Sequence, residues 1–166
     1  MIVVSDTTPL ISLMKINRLD LLRDLFFEVV IPYAVYDELT SNPRFAAEAA
    51  VIRESDFIQI MEVADDRCVR ILRSVALLDQ GESEAIVLAE GIEADLLLLD
   101  EVRGRNVAKR LRMNLTGTIG IILEAFDRGL LGKDDVLLCI DELRHNKRRI
   151  SESLFDLVKK HIGVQS

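Results

Sequence analysis

The feature that most constrains this chain is the way its apolar runs stop. "IVVS" at residues 2–5 runs into Asp6, "VVI" at 29–31 into Pro32, and "DLLLL" at 95–99 into Asp100. Each run is too short for an ordinary helix and continuous rather than alternating, as a strand buried on both faces is. The stretches between them carry apolar residues at helical spacing. Short two-sided strands alternating with helices imply an α/β domain, a central parallel sheet covered on both faces.

Along the chain, Ile2–Ser5 reads as a strand, Pro9–Met14 and Leu19–Phe26 as helices, and Val29–Ile31 as a second strand. Pro32–Thr40 is expected to be helical from its proline onward, because proline suits a first helical turn. A helix over Arg44–Glu54, a β-like stretch at Phe57–Val63 and a helix over Asp65–Val75 follow. Then come a strong helix at Gly81–Glu90, the strand Asp95–Leu99, a helix over Glu101–Met113 and a short strand at Asn114–Thr116. "TIGIILEAFDRG" is a helix with Thr118 or Thr116 as its N-cap and Gly129 as its stop. Helices at Lys133–Asn146 and Ser151–His161 end the chain, the last with a Ser151 capping signature. No repeat or linker divides the sequence, so residues 1–166 form one domain, with about 131–166 as a C-terminal helical appendage.

A length of 166 residues and 49 % hydrophobic content suit a single buried core without staples. Cys68 and Cys139 lack metal-ligand spacing and read as small core residues in a reducing compartment. Only His145 and His161 offer imidazole, both late in the chain, which gives no support to a zinc site or a Ser-His-Asp triad. Asp6 interrupts the first apolar run too early for a signal peptide, and Leu96–Leu99 is far too short to span a membrane. The expected setting is cytoplasmic, away from membranes. A net charge of -7 argues against broad adhesion to nucleic acid, though not against an enzyme that gathers acids at a metal site.

Sites in open α/β sheets form beyond the C-terminal strand ends, near the point where strand order reverses. Asp6 and Asp100 occupy such positions, although an acid there also suits a helix cap. In "YAVYDELT", Val35 and Leu39 define the buried stripe; Glu38 lies about 80° from it and Asp37 about opposite. Glu38 is therefore the acid able to reach along the sheet, and Asp37 is solvated. In "GESEAIVLAE", Glu82 and Glu84 flank the apolar stripe from opposite sides, and periodicity does not choose between them. A haloacid-dehalogenase phosphatase also opens with a strand and an Asp, but needs a second Asp where this chain has Thr8.

The acids recur in an ordered set. An Asp closes the first strand, "P..V..EL" lies in an early helix, "GE.EAI.LA" in a central one, and "LLLDE..GR" follows a late strand. Taken with "TGTIGIILEAFDRGLL" and "RRISESLFDLVKKH", this set resembles the PIN-domain superfamily, specifically its prokaryotic branch related to the VapC toxins, over nearly the whole chain. The resemblance implies a three-layer α/β/α fold and acids that bind Mg²⁺ or Mn²⁺ for RNA hydrolysis. It carries the family's first acid to Asp6, the second to Glu38 and the last to Asp100. The third falls in "GESEAI": the run beginning at Glu84 matches the toxins' register, while the "GE" pair keeps Glu82 in play. It further implies an RNA substrate, a small antitoxin as partner and a homodimer.

The chemistry of the residue types agrees. Two carboxylates about 4 Å apart repel by roughly 4 kcal/mol at an effective dielectric near 20, and a hard divalent cation relieves this. Such an ion helps generate hydroxide and offsets charge on a leaving oxygen. Asp6 and Asp100 are expected innermost, with Glu38 and Glu82 or Glu84 holding a metal-bound water or a second ion. Thr7 and Thr8 are candidates to steady Asp6, and Thr118 to approach the site. Arg103 and Arg105 begin a basic run, Lys109, Arg110 and Arg112 continuing it, that offers contacts to RNA phosphates; Lys147-Arg148-Arg149 forms a second basic cluster. The rival expectation is a PIN-like module that binds RNA or protein without cutting.

Overall fold

The computed structural model of the chain describes residues 1–165. Five strands form one sheet: β1 (Val3–Ser5), β2 (Val29–Pro32), β3 (Ile58–Met61), β4 (Leu96–Leu98) and β5 (Leu115–Thr116). Their order is β3-β2-β1-β4-β5, and every pairing is parallel. Parallel neighbours need a crossover between them. Helices α1 (Thr7–Lys15) and α2 (Asp20–Phe26) join β1 to β2. From β2, α3 (Tyr33–Ser41), a 3₁₀ turn (Pro43–Phe45) and α4 (Ala46–Glu54) lead to β3. Helices α5 (Asp66–Val75) and α6 (Gln80–Gly91) lead to β4, and α7 (Val102–Arg110) to β5. The chain closes with α8 (Thr118–Asp127), α9 (Lys133–His145) and α10 (Glu152–His161).

The period of two along each strand sorts side chains into two cores. Val3, Val29, Ile31 and Leu98 face a larger cluster with Leu10, Leu22, Val35, Ile121 and Ile122. Val4, Val30, Leu97 and Leu99 face a smaller one with Ala85, Ile86 and Ala108. The sheet thus lies between two helical layers, the expected three-layer α/β/α arrangement. The C-terminal helices pack into the larger cluster through Val136, Cys139, Ile140, Leu143 and Val158. His161 on α10 ties that helix to α8, its Nε2 lying 2.8 Å from Asp127.

Most differences from the sequence expectations lie at helix boundaries and have local causes. Helix α1 begins at Thr7, with Pro9 inside its first turn, where a proline N–H would be unpaired in any case. Pro32 ends β2 and serves as the N-cap of α3. The N-cap of α8 is Gly117, so neither Thr116 nor Thr118 holds that place. Ser151 caps α10 as expected, accepting from the Leu154 N–H at 3.2 Å. Among the described residues no helix is long and apolar enough to cross a membrane.

Cys139 is buried as expected, but Cys68 is exposed. Cys68 stands in the first turn of α5, where its N–H and its thiol both donate to the Asp65 cap, at 3.0 and 3.1 Å. Capping has placed that residue at the surface. In native protein an alkylating reagent should therefore modify Cys68 and spare Cys139 until denaturant is added, as mass spectrometry of the peptides would show. Equal labelling of both thiols would contradict this packing.

Candidate active site

Strands β1 and β4 are neighbours with Ser5 in register with Leu98, and the Asp6 N–H donates to the Leu98 carbonyl at 3.0 Å. Asp6 leaves one strand end and Asp100 follows the adjacent one. Between these strands the sheet order reverses, since β2 and β3 extend to one side of β1 and β5 lies beyond β4. Both acids therefore flank the topological switch point, where a crevice forms because successive crossovers diverge.

Asp6 is only 3 % exposed and makes no side-chain cap to α1. Burial, above all, pushes its carboxyl up to about 8, and the charges of Asp79, Glu82 and Glu38 push it the same way. The nearby Thr7 N–H pulls in the opposite direction. Gly81 permits this crowding. A Cβ there would stand 3.3 Å from Asp6 Oδ1 and 3.4 Å from Thr7 Oγ1. The first turn of α6 accordingly lies against the end of β1.

That turn separates the two glutamates that periodicity left open. Asp79 caps α6, accepting from the Glu82 N–H at 2.7 Å, while Glu82 Oε2 accepts from the Asp79 N–H at 3.1 Å. This reciprocal capping box holds Glu82 nearly buried, and burial, more than the neighbouring carboxylates of Asp79 and Glu101, raises its pKa. Glu84 turns elsewhere. Its Oε2 accepts from the Ala34 N–H at 3.0 Å and its Oε1 from Gln80 at 2.6 Å, so it caps the first turn of α3. Asp79 ends no apolar run and so escapes the strand-end pattern, although "DQGE" is legible as a capping box.

Glu38 is exposed at the rim of α3 and accepts from Thr7 Oγ1 at 2.7 Å. The Thr7 hydroxyl thus steadies Glu38, while the Thr7 N–H is the group that bears on Asp6; α1 starts two residues earlier than its apolar pattern implied. Thr8 lines a cleft between α1 and α9 instead. Asp37 is exposed, accepting from Ser41 on its own helix. Asp100 is held closely: the Thr118 N–H donates to Oδ1 at 2.8 Å and the Thr118 hydroxyl to Oδ2 at 2.6 Å. A carboxylate from another element thereby satisfies the N-terminus of α8, a favourable end for negative charge. A Cβ at Gly117 would lie 2.5 Å from Asp100 Oδ1, so the approach requires glycine.

The first two arginines of the basic run are engaged in structure. Arg105 donates to the Leu99 carbonyl at 2.7 Å, and Arg103 to the Leu77 carbonyl at 3.1 Å. Arg103 also lines an open basin of about 640 Å³ with Asp79, Glu82, Glu101 and Asn106. The residue that reaches Asp100 comes instead from the second basic cluster. Arg148 Nη2 lies 2.9 Å from Asp100 Oδ2.

Among the described residues no three His, Cys, Asp or Glu side chains form a ready-made metal cage. Each carboxylate is turned to its own holder: Glu82 to the Asp79 N–H, Glu38 to Thr7, Asp100 to Thr118 and Arg148. The donor set is nonetheless all carboxylate oxygen, the chemistry that Mg²⁺ and Mn²⁺ prefer. Asp6, whose neighbouring charges all disfavour its ionised form apart from one N–H, is the group that a cation would relieve most.

A parallel sheet with two acids at its switch point and further acids closing on one of them defines an α/β domain with an acidic crevice at its carboxyl edge. The comparison with known families makes this specific: the family model DUF3368, described as a PIN domain, matches residues 2–164. The chain belongs to that family. Among curated proteins none matches it.

The raised pKa of Asp6 fixes a sign. Its folded value of about 8 exceeds the ordinary 3.8, so the metal-free fold holds a proton there that the unfolded chain releases. Stability is full below the unfolded value and falls as pH rises through the folded one, by about 2–4 kcal/mol between pH 5 and 8. Asp6→Asn should remove most of that slope in urea unfolding measured without metal. An unchanged slope would contradict the burial of this acid.

Proposed function

We propose that this protein is a divalent-metal-dependent endoribonuclease in which Asp6, Glu82 and Asp100 hold Mg²⁺ or Mn²⁺. PIN domains are generally nucleases that use divalent metals, and membership of the family supplies the class of chemistry. The observation that carries the reading is Asp6 itself. It is a buried carboxyl at the switch point with Asp79, Glu82 and Glu38 all bearing on it. A bound cation would supply Lewis-acid polarisation of a phosphodiester oxygen and lower the pKa of a bound water.

The chain's own residues divide the remaining work. Asp6 and Asp100 present carboxylate oxygens from adjacent strand ends, on backbone that the sheet holds rigid. Thr118 fixes the rotamer of Asp100, and the capping box fixes that of Glu82. Glu38 has one oxygen on Thr7, and its other oxygen is available at the rim to orient a water toward the scissile phosphorus. Glu84 takes a structural part, since both of its oxygens hold α3 and the α6 turn in place.

Two comparisons test this reading. With Mg²⁺ or Mn²⁺ the protein should cleave a mixed RNA pool, EDTA should stop it, and Asp100→Asn should lose about a hundredfold or more. Equal behaviour of wild type and Asp100→Asn would leave a PIN-like binding module without turnover. Glu82→Gln should weaken Mn²⁺ binding about 10–100-fold in calorimetry. Glu84→Gln should leave binding unchanged and cost about 1 kcal/mol of stability through the lost cap of α3. The reverse pattern would transfer the ligand role to Glu84.

A further inference from the structure

Asp100 meets a cation from a part of the chain remote in sequence. Helix α9 ends in a Schellman motif: the Arg148 N–H donates to the Leu143 carbonyl at 2.9 Å and the Lys147 N–H to Arg144 at 3.0 Å. Lys147 adopts φ 63, the left-handed conformation that such an ending demands. This reversal turns Arg148 back toward the carboxyl edge of the sheet. The ion pair joins an Arg148 side chain 29 % exposed to an Asp100 side chain 8 % exposed.

The contact leaves most of the guanidinium unspent. Among the described residues no directed hydrogen bond uses its donors, which form a planar fork suited to phosphate. Arg148 also lines the cleft of about 190 Å³ between α1 and α9, in which Thr8, Ser12, Lys15, Asn146 and Lys147 stand around the apolar Ile11 and Leu143. Lys15 is already paired with Glu48 at 3.3 Å and Asn146 with the Glu142 carbonyl, whereas Lys147 is exposed. One wall of the cleft thus carries two hydroxyls and the other two cationic side chains, and Arg148 connects it to Asp100. In a protein of net charge -7, a local basic cleft opening beside a catalytic acid suits a substrate phosphate.

We propose that the α1–α9 cleft binds a backbone phosphate of the RNA strand next to the scissile one, and that Arg148 is the residue that holds it. Arg148 stands on Asp100 until a divalent cation takes that carboxylate, and the freed guanidinium then turns to the phosphate. Metal binding and strand binding are thereby coupled through one side chain. This inference rests on the nuclease reading of the acids.

Two readouts on the full chain, Mn²⁺ calorimetry and steady-state RNA cleavage, test it with Arg148→Ala and Arg148→Lys. Arg148→Ala should bind Mn²⁺ about tenfold more tightly, because the competing charge is gone, and raise KM for RNA about tenfold with kcat within about threefold. Arg148→Lys, which keeps the charge without the fork, should fall between the two proteins in KM. A residue that only supports the fold would weaken both affinities together. Unchanged Mn²⁺ affinity and KM in Arg148→Ala, or weaker binding of both Mn²⁺ and RNA, would overturn the role of Arg148 and leave the nuclease reading standing. Failure of wild type and variant alike to bind Mn²⁺ would overturn the metal reading, and this inference with it.

Discussion

The burial of one carboxyl at the end of β1 is the constraint around which the rest is arranged. An acid at that depth is unfavourable in its charged form, and three neighbouring acids make it more so. A fold selected for stability alone would place an apolar residue there, since Val3, Val4 and Leu98 beside it are fully buried. Keeping the acid makes sense where a cation is to be held, and it concentrates the cost at the one position where strand order reverses. The hydrophobic sheet supplies the rigidity that such a position needs.

Around that acid, each other carboxylate is oriented by a holder from a different element. A capping box within α6 orients Glu82, a hydroxyl of α1 orients Glu38, and the first turn of α8 orients Asp100. Two glycines make the approaches possible, Gly81 beside Asp6 and Gly117 beside Asp100. The C-terminal helices are part of the same design. They complete the larger core through Ile140 and Leu143, and the end of α9 returns Arg148 to the edge where the acids stand.

Strand identity was legible because two-sided burial leaves a continuous apolar run, which "IVVS" and "LLLL" display. Asp6 and Asp100 were legible for the same reason, as the residues at which those runs stop. Helix ends were harder to read. Several helices close through left-handed residues that are not glycine, among them Asn17, Glu93, Arg112 and Lys147, so the usual glycine signal is missing. The choice between Glu82 and Glu84 was beyond periodicity, because both flank one apolar stripe. What distinguishes them in the fold is what faces each flank, the end of β1 for Glu82 and the start of α3 for Glu84. Arg148 stood in a visible basic cluster, but only the tertiary return of α9 brings that cluster to Asp100. Cys68 was misjudged because an average preference for burial yields to a local cap.

The most direct measurement is anomalous diffraction from a crystal of the wild-type chain soaked in Mn²⁺. A single strong peak at bonding distance from carboxylate oxygens of Asp6, Glu82 and Asp100, with the Arg148 guanidinium displaced from Asp100, is the expected result. Mn²⁺ bound elsewhere, or no peak beside Asp6 at saturating concentration, would contradict the assignment of these acids to a metal centre.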